Sequence, residues 1–202
     1  CESNTDNDEG RLVANTINEL LKDSNYKDFA VLYRTNAQSR AIEEALRKLG
    51  TPYKIYGGLS FYQSKEVKDL LSYFRMVINP RDEEALKRTI NYPSRGIGST
   101  TIQKLIIAAN DNDCSIWDII QEIDSFNIKI NSGTKNKLSQ YSTLINSFSA
   151  QSETKDAYEL AEIITKSCGL YSLLYSDKTP EGVSRFENIQ ELLNGIKDFT
   201  LN

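Results

Sequence analysis

The stretch Pro93-Ser94-Arg95-Gly96-Ile97-Gly98-Ser99-Thr100-Thr101 carries the densest set of groups able to hold an anion. Gly96 and Gly98 leave the backbone bare, so a phosphate can approach without meeting a Cβ. A helix starting at Ser99 turns its free N–H groups and the positive end of its dipole on the same spot. Ser99, Thr100 and Thr101 add hydroxyls, and Arg95 adds charge. Ile97, flanked by residues too small to anchor anything, is expected to point inward and pin the turn. Such a hairpin holds a duplex backbone without reading its sequence. The same residues also fit an ordinary tight turn between helices, with glycine present only for a positive φ.

A second set is Tyr33-Arg34-Thr35-Asn36-Ala37-Gln38-Ser39-Arg40, at the end of an expected strand. In open α/β sheets, ligands bind beyond the carboxyl ends of strands. Arg34 can grip a phosphate there, and Asn36 can hydrogen-bond phosphate, sugar or base. The plainer alternative has Asn36 or Ser39 capping the following helix and Arg34 pairing with a surface acid. Asp82-Glu83-Glu84 superficially resembles a magnesium-binding pair. It follows Asn79-Pro80-Arg81 rather than a buried strand, so it is expected to be acids in the first turn of a helix.

Other chemistries are excluded. Histidine is absent, which removes Ser-His-Asp and Cys-His catalysis and every His-ligated zinc site. Cys1, Cys114 and Cys168 form no CxxC pair, so no metal site is expected, and their sparse, odd count fits a reducing cytosol. No Gly-Lys-Ser/Thr sequence occurs, so no phosphate-gripping P-loop is written here. The net charge is -4, from 24 basic and 28 acidic residues. A domain that held nucleic acid by bulk charge would be basic, so any such contact is local. Residues 85–104 supply Lys87, Arg88, Arg95 and Lys104 with no acid among them. No apolar run approaches the roughly 20 residues needed to cross a bilayer, and the expected location is cytoplasmic.

The elements that position these groups read as two regions. With 202 residues, the chain has room for one domain or two small pieces. Residues 1–56 read as α/β. A helix carries Leu12, Val13, Ile17, Leu20 and Leu21, with Asp8 as its expected cap, and the apolar run 29–33 is expected to be a buried strand. A helix over Ile42, Ala45, Leu46 and Leu49 stops at Gly50, and 53–56 is a second strand candidate. Two strands cannot make a whole sheet, so the expected fold class is mixed: an incomplete α/β piece, then a mainly helical domain over 57–202. In that domain, a helix carrying Val67, Leu70, Leu71, Phe74, Val77 and Ile78 is expected to stop before Pro80, and others are expected from Asp82 to Tyr92, from Ser99, from Ser115 to Ile123, and over 134–150, 154–168 (stopped by Gly169) and 183–199. Asn110–Asp113 and Asn131–Gly133 are expected loops.

Together these segments resemble the UvrD/PcrA/Rep branch of superfamily 1 DNA helicases. Tyr33-Arg34-Thr35-Asn36-Ala37-Gln38-Ser39-Arg40 with Ile42-Glu43-Glu44 matches the segment called motif IVa in that family. Pro52-Tyr53, Ile55-Tyr56-Gly57-Gly58, Phe61 and Lys65-Glu66-Val67-Lys68-Asp69 follow in family order. So do Asn79-Pro80, Asp82, Ile90-Asn91, Arg95-Gly96-Ile97-Gly98 and the late Arg185-Phe186-Glu187-Asn188. The resemblance implies that 1–56 is part of the second RecA-like domain (2A). It implies that 57–202 is most of that domain's helical insertion (2B), containing a helix-hairpin-helix. It implies single-stranded DNA contacts at Arg34 and Asn36. Duplex contacts are implied at Arg95, Gly96, Ile97, Gly98, Ser99 and Thr100. A parent protein would unwind DNA 3′ to 5′ in repair or replication with ATP and Mg2+. The cofactor motifs are expected in the rest of that helicase chain, and this piece alone is expected to be inactive. DNA is the implied partner, and repair proteins are candidates. A stand-alone helix-hairpin-helix module and a subunit of a helicase-nuclease remain alternatives.

Overall fold

The first helix, α1 (Asp6–Leu20), begins where the Thr5 hydroxyl oxygen accepts the Asp8 N–H. Thr5 is therefore the cap in place of Asp8. Asp8 lies a turn inside, where its carboxylate accepts the Thr5 hydroxyl proton at 2.8 Å and faces the positive end of the helix dipole. The computed structural model describes residues 5–55 and 61–201, the side chains of Asn36 and Ala37 excepted. The chain divides into two compact units, Cys1–Val67 and Lys68–Asn202.

In the first unit, α1 packs on α2 (Asn36–Lys48) through Ala14 and Ile17 on one side and Ile42, Ala45 and Leu46 on the other. Gly10 permits the close crossing: a Cβ there would lie 2.5 Å from the Ala41 carbonyl oxygen. Among the described residues no strand forms. The expected strand 29–33 and the described part of 53–56 have no ladder partner, and a strand exists only as one member of a hydrogen-bonded pair. The apolar run 29–33 is buried on one side only. Phe29 and Val31 pack against the two helices, whereas Leu32 is 96% exposed. The end of the second expected strand, with Gly57 and Gly58, lies outside the described residues. The cap of α2 is Thr35, whose Oγ1 accepts the Gln38 N–H at 3.2 Å. Neither Asn36 nor Ser39 holds that position, since Asn36 already opens the helix.

Among the described residues the regular elements of the second unit are all helices. After α3 (Lys65–Ile78) come α4 (Glu83–Thr89), α5 (Ser99–Asp111), α6 (Ile116–Gln121) and α7 (Ser132–Gln151). They are followed by α8 (Ala157–Ser167), α9 (Leu170–Ser176) and α10 (Pro180–Leu201). Asp82 and Ser115 cap α4 and α6, each side-chain oxygen accepting an N–H three residues on. Asn131 caps α7 in the same way. The expected loop 131–133 is thus a helix start, because an Asn cap followed by a poor helix former resembles a turn until the next 20 residues are read with it. The helix α9 was not expected. Gly169, at φ +91, ends α8 as anticipated, and the seven residues that follow are too few to show a helical period. Leu70, Tyr73, Met76, Leu86, Ile90, Leu105, Ile119, Tyr141, Ile145 and Leu170 are sealed from solvent and form the core that supports the 90–98 connection.

Candidate nucleic-acid interface

The connection between α4 and α5 is organised by Asn91. Its side-chain oxygen accepts the N–H of Arg95 at 2.9 Å and of Ile97 at 3.0 Å, folding the chain back on itself. Ile97 is wholly buried, as its position between small residues demanded. Burying a side chain of that size contributes about 2–3 kcal/mol, enough to fix the turn against the core.

The two glycines differ. Gly96 has φ +69, the left-handed region where a side chain is strained. Gly98 has φ -75 and ψ 164, which any residue adopts. No protein atom lies within 4 Å of the position a Cβ would take on Gly98. The fold therefore makes no demand for glycine there, and the space in front of it is open. Gly98 is also the N-cap of α5 and offers no side-chain cap. Its carbonyl takes the Thr101 and Ile102 N–H groups. The N–H groups of Ser99 and Thr100 have no acceptor among the described residues, and both residues are exposed.

Arg95 faces the other way. One terminal nitrogen donates to the carbonyls of Thr89 (2.9 Å) and Pro93 (3.1 Å). The other donates to the Tyr73 hydroxyl (2.7 Å) and the Cys168 carbonyl (3.2 Å). The guanidinium also sits 5.8 Å and 5.6 Å from the ring centroids of Tyr73 and Tyr141. The Tyr73 hydroxyl donates its one O–H between the Thr89 and Tyr92 carbonyls. Tyr141 reaches the Thr89 hydroxyl at 2.6 Å. Burial pushes the Tyr141 phenol up to about 12 and raises Tyr73 likewise, so both remain neutral. Burial also pushes the Cys168 thiol up to about 11. Arg95 is thus the one charge in a neutral half-buried network, and its four terminal N–H groups are committed to the fold.

The other nearby cations are committed too. Lys87 pairs with Glu83 at 2.8 Å and Arg88 with Asp69 at 2.6 Å. Lys104 donates to the Lys129 carbonyl at 2.7 Å. One cation that the local sequence does not reveal is Lys137 of α7. Its Nζ donates to the Gly96 carbonyl at 3.3 Å, across 41 residues. Glu83 and Glu84 are acids in the first turn of α4, as expected, and Asp82 is its cap. Arg75 bridges Asp82 (2.7 Å) and Glu84 (3.0 Å). The Ala85 N–H, with Arg75, holds Asp82 below the usual carboxylate range.

In the first unit, Arg34 is exposed and its guanidinium meets no carboxylate among the described residues. Its backbone N–H donates to the Gln38 side chain at 3.0 Å. The Asn36 side chain lies outside the described residues. Sequence reasoning passed over Glu43. It is 2% exposed and accepts from the hydroxyls of Ser39 (3.3 Å) and Tyr53 (3.0 Å) and the Phe61 N–H (3.0 Å). Glu44 accepts from Arg40 (2.9 Å) and the Tyr62 hydroxyl (2.7 Å). The two acids tie α2 to the chain on both sides of the 56–60 segment. An acidic pair on the face that also carries Ser39 and Arg40 was the available signal.

Among the described residues no three acidic or cysteine side chains converge as a metal site would require. No helix among the described residues is long and apolar enough to cross a membrane.

Residues 1–202 match the family described as the UvrD-like helicase C-terminal domain. The chain is 39% identical over 193 residues to the ATP-dependent DNA helicase PcrA of Bacillus subtilis, covering 95% of this chain and 26% of that protein. It is 37% identical to the Staphylococcus aureus PcrA, covering 100% and 27%. It is 36% identical to the Leuconostoc citreum PcrA, covering 96% and 26%. The chain spans about a quarter of the length of these relatives.

Proposed function

Because this chain belongs to the UvrD-like helicase C-terminal domain family, we propose that it is a DNA-gripping part of an ATP-dependent helicase that moves 3′ to 5′ on single strands. Residues 1–56 serve as part of its second RecA-like domain, and 57–202 as the helical insertion. The 90–101 connection acts as a helix-hairpin-helix that holds the duplex backbone. Arg34 and Asn36 hold the single strand. ATP hydrolysis supplies the stepping when the nucleotide is bound elsewhere in such a helicase.

The observation that carries this reading is Gly98. A glycine with ordinary φ, open space in front of it and uncapped N–H groups behind it has no role in the fold that alanine or serine could not fill. An approaching phosphate gives it one. The phosphate would accept from Ser99 and Thr100, with the α5 dipole behind them. With so few phosphates neutralised, affinity for duplex is expected near 100 μM or weaker at physiological salt.

The test is a duplex titration followed by amide chemical shifts at two salt concentrations. Shifts should cluster at 94–101. Gly98→Val should abolish them while the melting temperature changes by no more than about 1 kcal/mol would produce. Shifts clustered elsewhere, or a folded Gly98→Val variant that binds normally, would return the segment to a plain connector. In a parallel titration with a single strand, Arg34→Ala should lose about 1.5–3 kcal/mol of affinity, the value of a charge-assisted bond.

A further inference from the structure

We infer that the cation serving the duplex site is Lys137 of α7, and that Arg95 serves only to hold the turn from inside. This inference rests on the reading that the 90–101 connection grips duplex DNA. Every basic residue that sequence places near the turn is engaged by the protein itself. Lys87 and Arg88 are in ion pairs, Lys104 is bound to a carbonyl, and Arg95 is anchored by four acceptors.

Lys137 shares with Lys104 an exposed side chain and a single carbonyl acceptor, but its acceptor, Gly96, is in the turn itself. Among the described residues Lys137 has no carboxylate partner and no hydrogen bond besides the one to the Gly96 carbonyl at 3.3 Å. The same ammonium nitrogen lies 2.6 Å from where a Gly96 Cβ would stand. It therefore rests directly on the turn, in space that only a glycine leaves free. An ammonium carries more N–H donors than one carbonyl can use. The remainder face solvent beside the loop whose N–H groups await an anion. The helix that carries Lys137 contains a second lysine, Lys135, and no acid over its 20 residues. Lys135 is itself paired with Asp124 at 2.7 Å. Lys137 is therefore an exposed cation at the turn with no acid on its own helix to offset it.

The ligand is a backbone phosphate of duplex DNA, and the readout is salt dependence. One phosphate neutralised adds about 0.9 to the slope of log affinity against log salt. The 202-residue chain and its variants would be titrated with a short fluorescent duplex by anisotropy between about 50 and 200 mM salt. Lys137→Gln should fold normally, bind about tenfold more weakly at the low-salt end and lose about 0.9 of the slope. Lys137→Arg should keep both. If Lys137→Gln keeps the wild-type affinity and slope while Gly98→Val abolishes binding, the inference about the lysine is wrong and the duplex reading stands. If folded Gly98→Val binds as wild type, the duplex reading itself fails and the lysine inference falls with it.

Discussion

Replacing Arg95 by alanine separates an interior role from a DNA contact. The substitution removes four hydrogen bonds from one guanidinium, to Thr89, Pro93, Tyr73 and Cys168. A hydrogen bond from a charged donor is worth about 1.5–3 kcal/mol. Four cannot be added at that rate, because they share one desolvation cost and the freed carbonyls at a half-buried site regain water. The Thr89 carbonyl also keeps the Tyr73 hydroxyl. Loss of the contacts with the Tyr73 and Tyr141 rings adds about 0.5–1 kcal/mol. The net expectation is a loss of about 3 kcal/mol. For a chain of this size that is a fall of roughly 6–12 °C in melting temperature. Arg95→Lys keeps the charge but not the fork that reaches both Tyr73 and the Pro93 carbonyl, so it should destabilise nearly as much. The assay is thermal unfolding by circular dichroism, paired with the salt slope of duplex binding at a temperature where both variants are folded. The slope should be unchanged for both. A melting shift under about 2 °C, with about 0.9 lost from the slope in Arg95→Ala and restored in Arg95→Lys, would refute the interior role and put the guanidinium on a phosphate.

Two further outcomes follow from the described geometry. Glu43→Ala should cost about 1–3 kcal/mol, because the buried Phe61 N–H loses its acceptor and the exposed Tyr53 hydroxyl loses its partner on α2; an unchanged melting curve would show that the acid does not tie Tyr53 and Phe61 down. Asp118 is held below the usual aspartate range by the Ser115 hydroxyl and then by Arg81, so its contribution to stability is complete above about pH 3.9 and is lost as the pH falls through its lowered folded value. Urea midpoints measured from pH 6 down to about pH 2.5 should therefore fall less steeply for Asp118→Asn than for the native chain.

The sequence alone determined the punctuation of the second unit. Asp82, Ser115 and Gly169 mark helix ends because capping and left-handed φ are local events, settled by a residue and its next three neighbours. It also determined that Ile97 goes inward, since nothing beside it could anchor the turn. What it could not determine is where charge points. Lys87, Arg88, Arg95 and Lys104 look like one basic cluster in one dimension, yet their partners Glu83, Asp69, Tyr73, Cys168 and Lys129 come from four separate stretches of the chain. Lys137 enters from 41 residues away. The run 29–33 misled for a related reason: an apolar run favours burial, but a strand needs a neighbour to bond with, and pairing is a property of the assembled fold. Caps and apolar periodicity act through covalent proximity and are legible in sequence. The direction of a long charged side chain depends on which acceptors the tertiary packing brings within about 3 Å of it, and only the folded chain decides that.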